Sequence, residues 1–247
     1  MKKLAVIMIG VLSASFVSAQ SVDEIIDAYF ENTGGFDNWG NVEGIKINAK
    51  VNQNGVEIPV EIVQMADGRQ YTKVSIQGNS LMQGVFDGET LWNTHFATMS
   101  AEKADAESTA NTKLDANDFP DSFYNYKDKG YTAELVGNET IEGAETFKIK
   151  LTKEKKMVDG EEVDDILYYY FDTEAMIPIA QESVVLQGPA KGSTQIVTFS
   201  DYQEVDGLYF AFSLTQGVKG GQSQPIIVES IAVNPEVSEA DFAFPGE

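Results

Sequence analysis

The sequence predicts an all-β fold with minor helices, built around one large curved antiparallel sheet, a barrel or a sandwich. Three observations carry this prediction. From residue 45 onward, short runs alternate between apolar and polar residues, as half-buried strands do. Glycine-containing turns separate these runs. The chain has 247 residues, of which 43% are hydrophobic, so a single domain with a full core is expected.

The first nineteen residues have the pattern of a secretory signal peptide. Lys2 and Lys3 form the charged start, an apolar run covers residues 4–17, and Val17-Ser18-Ala19 is a small-residue cleavage site. We therefore expect residues 20–247 to form the mature protein, one soluble domain located at the cell surface or in the periplasm. No cysteine follows the cleavage site and no later apolar run is long enough for a transmembrane helix, so neither a lipid anchor nor a membrane span is predicted.

A helix is predicted at the start of the mature chain. Ser21-Val22-Asp23-Glu24 has the form of a capping box, and Gly34-Gly35 is a stop signal. The apolar residues between them recur at helical spacing and form one stripe. They are Val22, Ile25, Ile26, Tyr29 and Phe30. The stripe indicates an amphipathic helix that packs on a sheet, or a lid that covers a β-cavity.

Strands follow from Ile45. Ile45 begins an alternating run that the turn Asn52-Gln53-Asn54-Gly55 connects to a second run, as in an antiparallel hairpin. Similar runs recur along the rest of the chain. They cover about residues 70–77, 80–86, 131–136, 145–152, 165–171, 177–187, 194–202, 208–216 and 225–233. The sequence therefore predicts ten to twelve strands.

A polar insert interrupts this rhythm at residues 100–118. Alanine, serine, threonine, asparagine and charged residues dominate it, and few of its side chains are apolar. Such a composition is typical of a polar helix or a mobile loop that connects strands. A second interpretation is a loosely held lid.

Composition excludes several classes of function. The chain has no cysteine and one histidine, His95, so thiolate sites and multi-histidine metal sites are excluded. No serine-centred Gly-x-Ser-x-Gly motif and no twelve-residue calcium loop occur. Without residues 1–19 the chain carries 15 basic and 39 acidic side chains, a net charge of −24, which opposes binding to nucleic acid. We expect no catalytic residues, no metal and no cofactor.

Apolar surface is the strongest remaining indication of function. The strands carry more large apolar side chains than one sheet face needs, and a curved sheet with one apolar face can hold an apolar ligand. We expect the cavity to be lined by apolar residues of both halves of the chain. They are Ile47, Val60, Ile62, Val74, Leu81, Phe86, Trp92, Phe147, Ile149, Tyr168 and Tyr170. The candidate lid residues are Ile25, Ile26, Tyr29 and Phe30.

Several short motifs, in this order and spacing, resemble the LolA-like family of outer-membrane lipoprotein-sorting proteins. The motifs run from the predicted helix to the end of the chain. They are Tyr29-Phe30-Glu31-Asn32-Thr33-Gly34-Gly35 through Trp39; Phe86-Asp87-Gly88 through Trp92; Tyr124-Asn125-Tyr126-Lys127-Asp128-Lys129-Gly130-Tyr131; Glu134-Leu135-Val136-Gly137; Tyr170-Phe171-Asp172 through Pro178-Ile179; Phe199-Ser200-Asp201-Tyr202 through Val205-Asp206-Gly207; and Val233-Asn234-Pro235 followed by Phe242 and Pro245.

The resemblance implies an unclosed antiparallel β-barrel of about eleven strands, with an N-terminal helix and a helical or loop lid. It also implies a periplasmic carrier that holds acyl chains of lipoproteins or other lipids in an apolar cavity, with an outer-membrane acceptor protein as a possible partner. Family carriers have an arginine near the cavity mouth, and Arg69, the only arginine in the chain, would correspond to it. We expect a monomer.

Two other functions stay open. The first is a non-enzymatic envelope β-domain with a filled core that binds a protein partner. The second is a secreted hydrolase that uses carboxylates, which has the least support because the sequence cannot place two carboxylates at a catalytic separation.

Overall fold

The computed structural model describes residues 20–245, and the predicted signal peptide lies outside them. In these residues, thirteen antiparallel strands form one sheet that is not closed, and two short strands form a separate hairpin. None of the helices among the described residues is long and apolar enough to span a membrane.

The strands and helices have the following bounds. The strands are β1 Gly44–Gln53, β2 Val56–Met65, β3 Gln70–Ile76, β4 Asn79–Phe86, β5 Leu91–Thr94, β6 Ala101–Lys103, β7 Thr132–Ile141, β8 Ala144–Thr152, β9 Lys156–Val158, β10 Glu161–Val163, β11 Ile166–Asp172, β12 Pro178–Val184, β13 Thr194–Val205, β14 Leu208–Val218 and β15 Ser223–Val233. The α-helices are α1 Val22–Asn32, α2 Phe36–Gly40 and α3 Ala106–Asp115, and the 3-10 turns are Ala116–Asp118 and Glu239–Asp241. The order in the large sheet is β6-β5-β4-β3-β2-β1-β15-β14-β13-β12-β11-β8-β7, with β6 and β7 as its two edges, and β9 and β10 form the separate hairpin.

The predicted fold class is confirmed: the protein is mostly β, with a large unclosed antiparallel sheet and few helices. Each of the eleven alternating runs in the sequence is a strand of this sheet. Four further strands, β5, β6, β9 and β10, have only three or four residues each. Runs this short contain too few positions to show a period of two, which is why the sequence did not reveal them.

Helix α1 begins at the predicted capping box. The Ser21 Oγ accepts a hydrogen bond from the Glu24 amide at 3.2 Å, and the Ser21 amide donates to Glu24 Oε2 at 2.8 Å. The helix buries Ile25, Tyr29 and Phe30 in the main core. These contacts fix α1 against one face of the sheet, which we call the inner face.

The main core lies between α1, α2, the segment 119–131 and one part of the inner face. Its buried members from the strands include Ile45 of β1, Ile149 and Leu151 of β8, and Leu208 of β14. Because directly opposed residues of neighbouring strands point to the same side, the position of Ile45 identifies every inner-face residue of β1 and its neighbours.

A smaller core lies on the opposite face, which we call the outer face. The C-terminal segment places Phe242 against Val63, Tyr71, Val85 and Trp92. The Trp92 indole Nε1 donates a hydrogen bond to the Phe242 carbonyl oxygen at 3.0 Å. The C-terminal segment therefore covers the outer face of β2 to β5.

The polar insert forms helix α3 between β6 and the 3-10 turn Ala116–Asp118. Asp105 caps it: its Oδ1 accepts a hydrogen bond from the Ser108 amide at 2.7 Å. Helix α3 has no buried residue. Residues 106–115 of the insert are therefore a polar helix, and a role of this helix as a lid stays a prediction.

Gly34 lets the end of α1 approach the β13–β14 turn. Its φ is +117°, and a Cβ atom at this position would clash with the carbonyl oxygen of Gly207 and crowd Leu208. The Tyr209 amide donates to the Thr33 carbonyl oxygen at 3.0 Å beside it. This close approach positions α1 on the inner face.

The Gly34→Ala substitution should destabilise the protein by about 1–3 kcal/mol more than Gly55→Ala, since the added methyl group collides with backbone. Gly55 also has a positive φ but has open space around it, so Gly55→Ala measures only the cost of placing an alanine at a positive φ. Urea unfolding of both variants gives the comparison. Equal free energies of unfolding would contradict the packing argument.

Candidate lipid-binding face

Apolar side chains form continuous rows across the inner face of the sheet. One row runs over five strands through Phe199, Leu214, Ile226, Val51 and Ile58, each directly opposite the next. We call it the open row. At a strand spacing of ~4.8 Å, five strands make the row roughly 19 Å wide.

A second row lies beside the open row. It consists of Val228, Ala49, Val60, Val74 and Leu81, which are again directly opposed from strand to strand. Val51 and Ala49 are two positions apart on β1, so both rows point to the same side as Ile45. The inner face is therefore apolar well beyond the part that α1 covers.

The open row is only half buried. All five of its side chains have intermediate exposure, and none belongs to either core cluster. In the second row Ala49, Leu81 and Val228 are buried, whereas Val60 and Val74 are half-buried. Two parts of one face thus differ: the main core fills one part, and the other keeps apolar surface in contact with solvent.

A cleft adjoins this surface at strands β4 to β6. It has a volume of about 540 Å³, and Leu81 of the second row lines it together with Gln83, Thr94, Phe96 and Ala104. The Phe96 side chain is 71% exposed at the rim of the cleft. His95, Glu102 and Lys103 also line the cleft, so it continues the inner face to the β6 side of the sheet with a mixed polar and apolar lining.

Eight of the predicted lining residues lie on the inner face. Register and core contacts place them on the same side as Ile45. They are Ile47, Val60, Ile62, Val74, Leu81, Phe86, Phe147 and Ile149. Phe147 and Ile149 pack in the main core, so Val60, Ile62 and Val74 are the members closest to the half-buried surface. That they contact lipid stays a prediction.

Three predicted lining residues lie on the outer face and correct the sequence-based assignment. Tyr168 and Tyr170 alternate with the inner residue Tyr169, and the Lys148 ammonium lies 5.1 Å from the centroid of each of their rings. Trp92 belongs to the outer core under Phe242. Strand β11 reads Ile-Leu-Tyr-Tyr-Tyr-Phe, so apolar and aromatic residues occur on both faces and the alternation does not identify the inner one.

Three solved structures are similar to this protein over most of its length. A DUF1329 family protein from Desulfovibrio piger has 14% sequence identity and a TM-score of 0.55, and the match covers 91% of this chain and 98% of that one. A LolA superfamily protein from Nitrosomonas europaea has 10% identity and a TM-score of 0.55, with the same coverage. A domain from Vibrio parahaemolyticus assigned as an outer-membrane lipoprotein-sorting protein has 12% identity and a TM-score of 0.51, covering 89% and 94%.

The fold is LolA-like. At these identities the likeness concerns the fold, and it confirms the resemblance inferred from the spaced motifs at that level. A scan against protein-family models and a search of curated proteins give no match.

Arg69 has fixed partners in this LolA-like sheet. Its Nη2 and Nε lie 2.8 Å from Asp67 Oδ2, and its guanidinium carbon lies 4.9 Å from the centroid of the Phe242 ring. The Arg69 side chain holds the pKa of the Asp67 carboxyl below its usual value. The ion pair and the ring contact tie Arg69 to the C-terminal segment, and its correspondence to a carrier arginine stays a prediction.

The candidate lid residues of α1 are all in the main core. Ile25, Ile26, Tyr29 and Phe30 are at most 5% exposed. Exposing four such side chains would cost on the order of 6–12 kcal/mol, at about 1.5–3 kcal/mol each. That is comparable to the whole stability of a typical domain, so moving α1 would be costly.

Helix α3 is held by polar contacts instead. The Asn111 side chain makes two hydrogen bonds with the backbone of Met157, at 2.7 and 3.1 Å. The two carboxylate oxygens of Glu107 each accept from a backbone amide of the β9–β10 turn, Asp159 and Gly160, at 2.9 Å. Helix α3 thus connects to the β9–β10 hairpin through polar contacts, and none of its residues is fully buried.

An ionic cluster anchors the end of α3. The Lys153 Nζ lies 2.7 Å from Asp118, 3.1 Å from Asp165 and 3.5 Å from Asp115, and its side chain is 6% exposed. Lys156 pairs with Asp115 at 2.6 Å and Asp165 at 3.1 Å. Burial alone lowers the pKa of Lys153, but the nearby carboxylates, Asp118 first, outweigh it and raise this pKa well above its usual value.

Replacing Lys153 by alanine should destabilise the protein by about 3 kcal/mol, because it leaves the buried carboxylate of Asp165 and its two acidic neighbours with one cation fewer. Lys155→Ala is the matched control: Lys155 is exposed and lies 3.7 Å from Glu162, so we expect a loss under about 1 kcal/mol. Chemical denaturation measures both. Similar losses in the two variants would show that the cluster does not anchor α3.

Proposed function

We propose that this protein is a non-enzymatic carrier that binds acyl chains on the inner face of its sheet. The observation that supports this most is the open row, five half-buried apolar side chains on five adjacent strands that belong to neither core cluster. A monomeric protein rarely leaves a continuous apolar surface of this kind in water without a ligand or partner for it.

Burial of one acyl chain is sufficient for binding without chemistry. At ~0.8 kcal/mol per methylene, a chain of about sixteen carbons contributes on the order of 12 kcal/mol before the costs of association. The inner rows offer the apolar contacts, and the net charge of −22 keeps a protein with such a surface soluble.

In the proposed mechanism, α3 moves and α1 stays. Displacing α3 breaks hydrogen bonds and ion pairs that water can replace, since the helix buries no residue. Displacing α1 would expose the main core. Ligand entry therefore needs only α3 and the segment around it to open, and release needs only a better site on an acceptor.

The finer assignment follows from the fold likeness and the sequence together. We propose a periplasmic protein, exported by the predicted signal peptide, that takes part in outer-membrane lipoprotein sorting. The solved domain from Vibrio parahaemolyticus, assigned as a lipoprotein-sorting protein, supports the role by its fold.

Organic extraction of the gently purified protein, followed by mass spectrometry, tests the proposal. We expect the extract to contain about one equivalent of fatty acid, phospholipid or lipopeptide. In a separate folded sample from which lipid has been removed, we expect the melting temperature to rise when lipid is added. An empty extract without stabilisation by lipid would favour the alternative, an envelope β-domain that binds a protein partner.

Ile58→Glu should abolish binding of a fluorescent acyl probe, dansyl-undecanoic acid, because it puts a charge into the open row. Ile227→Glu is the matched control, since Ile227 is 49% exposed and lies opposite Lys50 on the outer face. Titration followed by fluorescence compares the two variants with the unchanged protein. Equal binding by both would place the acyl site elsewhere.

A further inference from the structure

A second candidate surface lies between α1 and the segment that follows the 3-10 turn Ala116–Asp118. It is a groove of about 370 Å³ between α1 and the segment 123–128, which we call the α1 groove. Ile26, Phe30 and Phe123 line its floor, and each is buried in the main core. Asp23, Ile26, Asp27 and Phe30 of α1 follow helical spacing, so one face of α1 forms one wall. The groove is therefore separate from the open row.

An exposed aromatic side chain stands at one side of the α1 groove. Phe36 is 42% exposed, although its ring stacks on Tyr124 with centroids 4.5 Å apart and planes 25° apart. It also meets the edge of Phe30 at 5.3 Å. These ring contacts fix Phe36 in place, so a ligand would meet an ordered apolar surface and lose little entropy in arranging it.

The rim of the α1 groove is acidic. Asp23 is neutralised: its carboxylate binds Lys127 at 2.8 Å and Tyr126 Oη at 2.6 Å, and these contacts hold its pKa below the usual value, Lys127 most of all. Asp27 and Asp128 are exposed and have no hydrogen bond or ion pair from their side chains to any described residue. Two uncompensated carboxylates therefore flank an apolar floor.

The apolar floor and the acidic rim together determine which kind of ligand fits the α1 groove. An anionic lipid headgroup or a nucleic acid would be repelled by the rim and by the net charge of −22. A neutral acyl chain would contact the floor but leave the two carboxylates unused. A lysine or arginine side chain uses both parts, because its aliphatic stem lies on apolar surface while its charged head reaches a carboxylate.

We propose that the α1 groove docks a basic segment of a partner protein, in which lysine or arginine side chains flank an apolar residue. The apolar residue packs on Phe30, Phe36 and Phe123, and the cations pair with Asp27 and Asp128. This interaction is independent of the acyl chain on the inner face, and it lets the carrier recognise a protein while a ligand is bound.

The test uses a fluorescein-labelled peptide of alternating lysine and leucine residues with a central phenylalanine, titrated with the full mature chain. The double variant Asp27→Asn, Asp128→Asn should bind it at least about fivefold more weakly, and affinity should fall as salt is raised. The matched control is Asp164→Asn, Glu236→Gln, which removes two exposed acidic charges elsewhere and should change affinity less than about twofold. Phe36→Ala should also weaken binding.

Three outcomes would overturn the inference. Equal weakening in both double variants would indicate general charge attraction. Equal binding of a peptide with glutamate in place of lysine would remove the role of charge. Loss of binding in Ile58→Glu, with none in the Asp27, Asp128 double variant, would place the peptide on the inner face. If the peptide binds in the α1 groove, Ile58→Glu should bind it as tightly as the unchanged protein does. The peptide and acyl-probe titrations of this variant therefore test the two proposals separately.

Discussion

The rest of the structure depends on the central position of β1, which pairs with β2 on one side and with the last strand, β15, on the other. This pairing joins the first half of the chain to the second in one sheet. Because side chains alternate along a strand, it also aligns Ile45, Ile47, Ala49 and Val51 on one face. The main core uses the first two, whereas Val51 belongs to the open row. A single strand thus sets both the stable part and the accessible part of the inner face.

Helices α1 and α3 are held by different kinds of contact. Aromatic side chains of α1 and the segment 119–131 fill one part of the inner face, where Phe30, Phe123 and Phe171 are almost fully buried. Helix α3 is polar, and its contacts with the β9–β10 hairpin are hydrogen bonds and ion pairs. Hydrophobic burial makes displacement of α1 costly. Polar contacts that water can replace make displacement of α3 less costly.

The sequence predicted the fold better than the site, for a physical reason. Runs of seven or more residues rich in apolar side chains between turn signals are a strong signal, and all eleven long strands were predicted from such runs. The face of a strand is visible only when its two sides differ in polarity. The two sides of β1 differ, because lysines alternate with apolar residues, and the predicted face of Ile47 is the correct one. The two sides of β11 are both apolar or aromatic, and the predicted face of Tyr168 and Tyr170 is therefore wrong. The α1 groove could not be predicted from the sequence, because Asp27 and Asp128 lie about a hundred positions apart. Only the packing of α1 brings them to one rim.

The polar character of α3 has a consequence for binding. In the proposed mechanism, a lid held by buried apolar side chains would expose them each time it opens. Helix α3 has no buried residue, so its displacement exposes less apolar surface than displacement of α1 would. The ion pairs of Lys153 and Lys156 with three aspartates hold the end of α3 in place, as buried apolar contacts do for α1. Its charges also fix the position of the helix more narrowly than apolar packing alone would, since each ammonium must meet its carboxylates within hydrogen-bond distance.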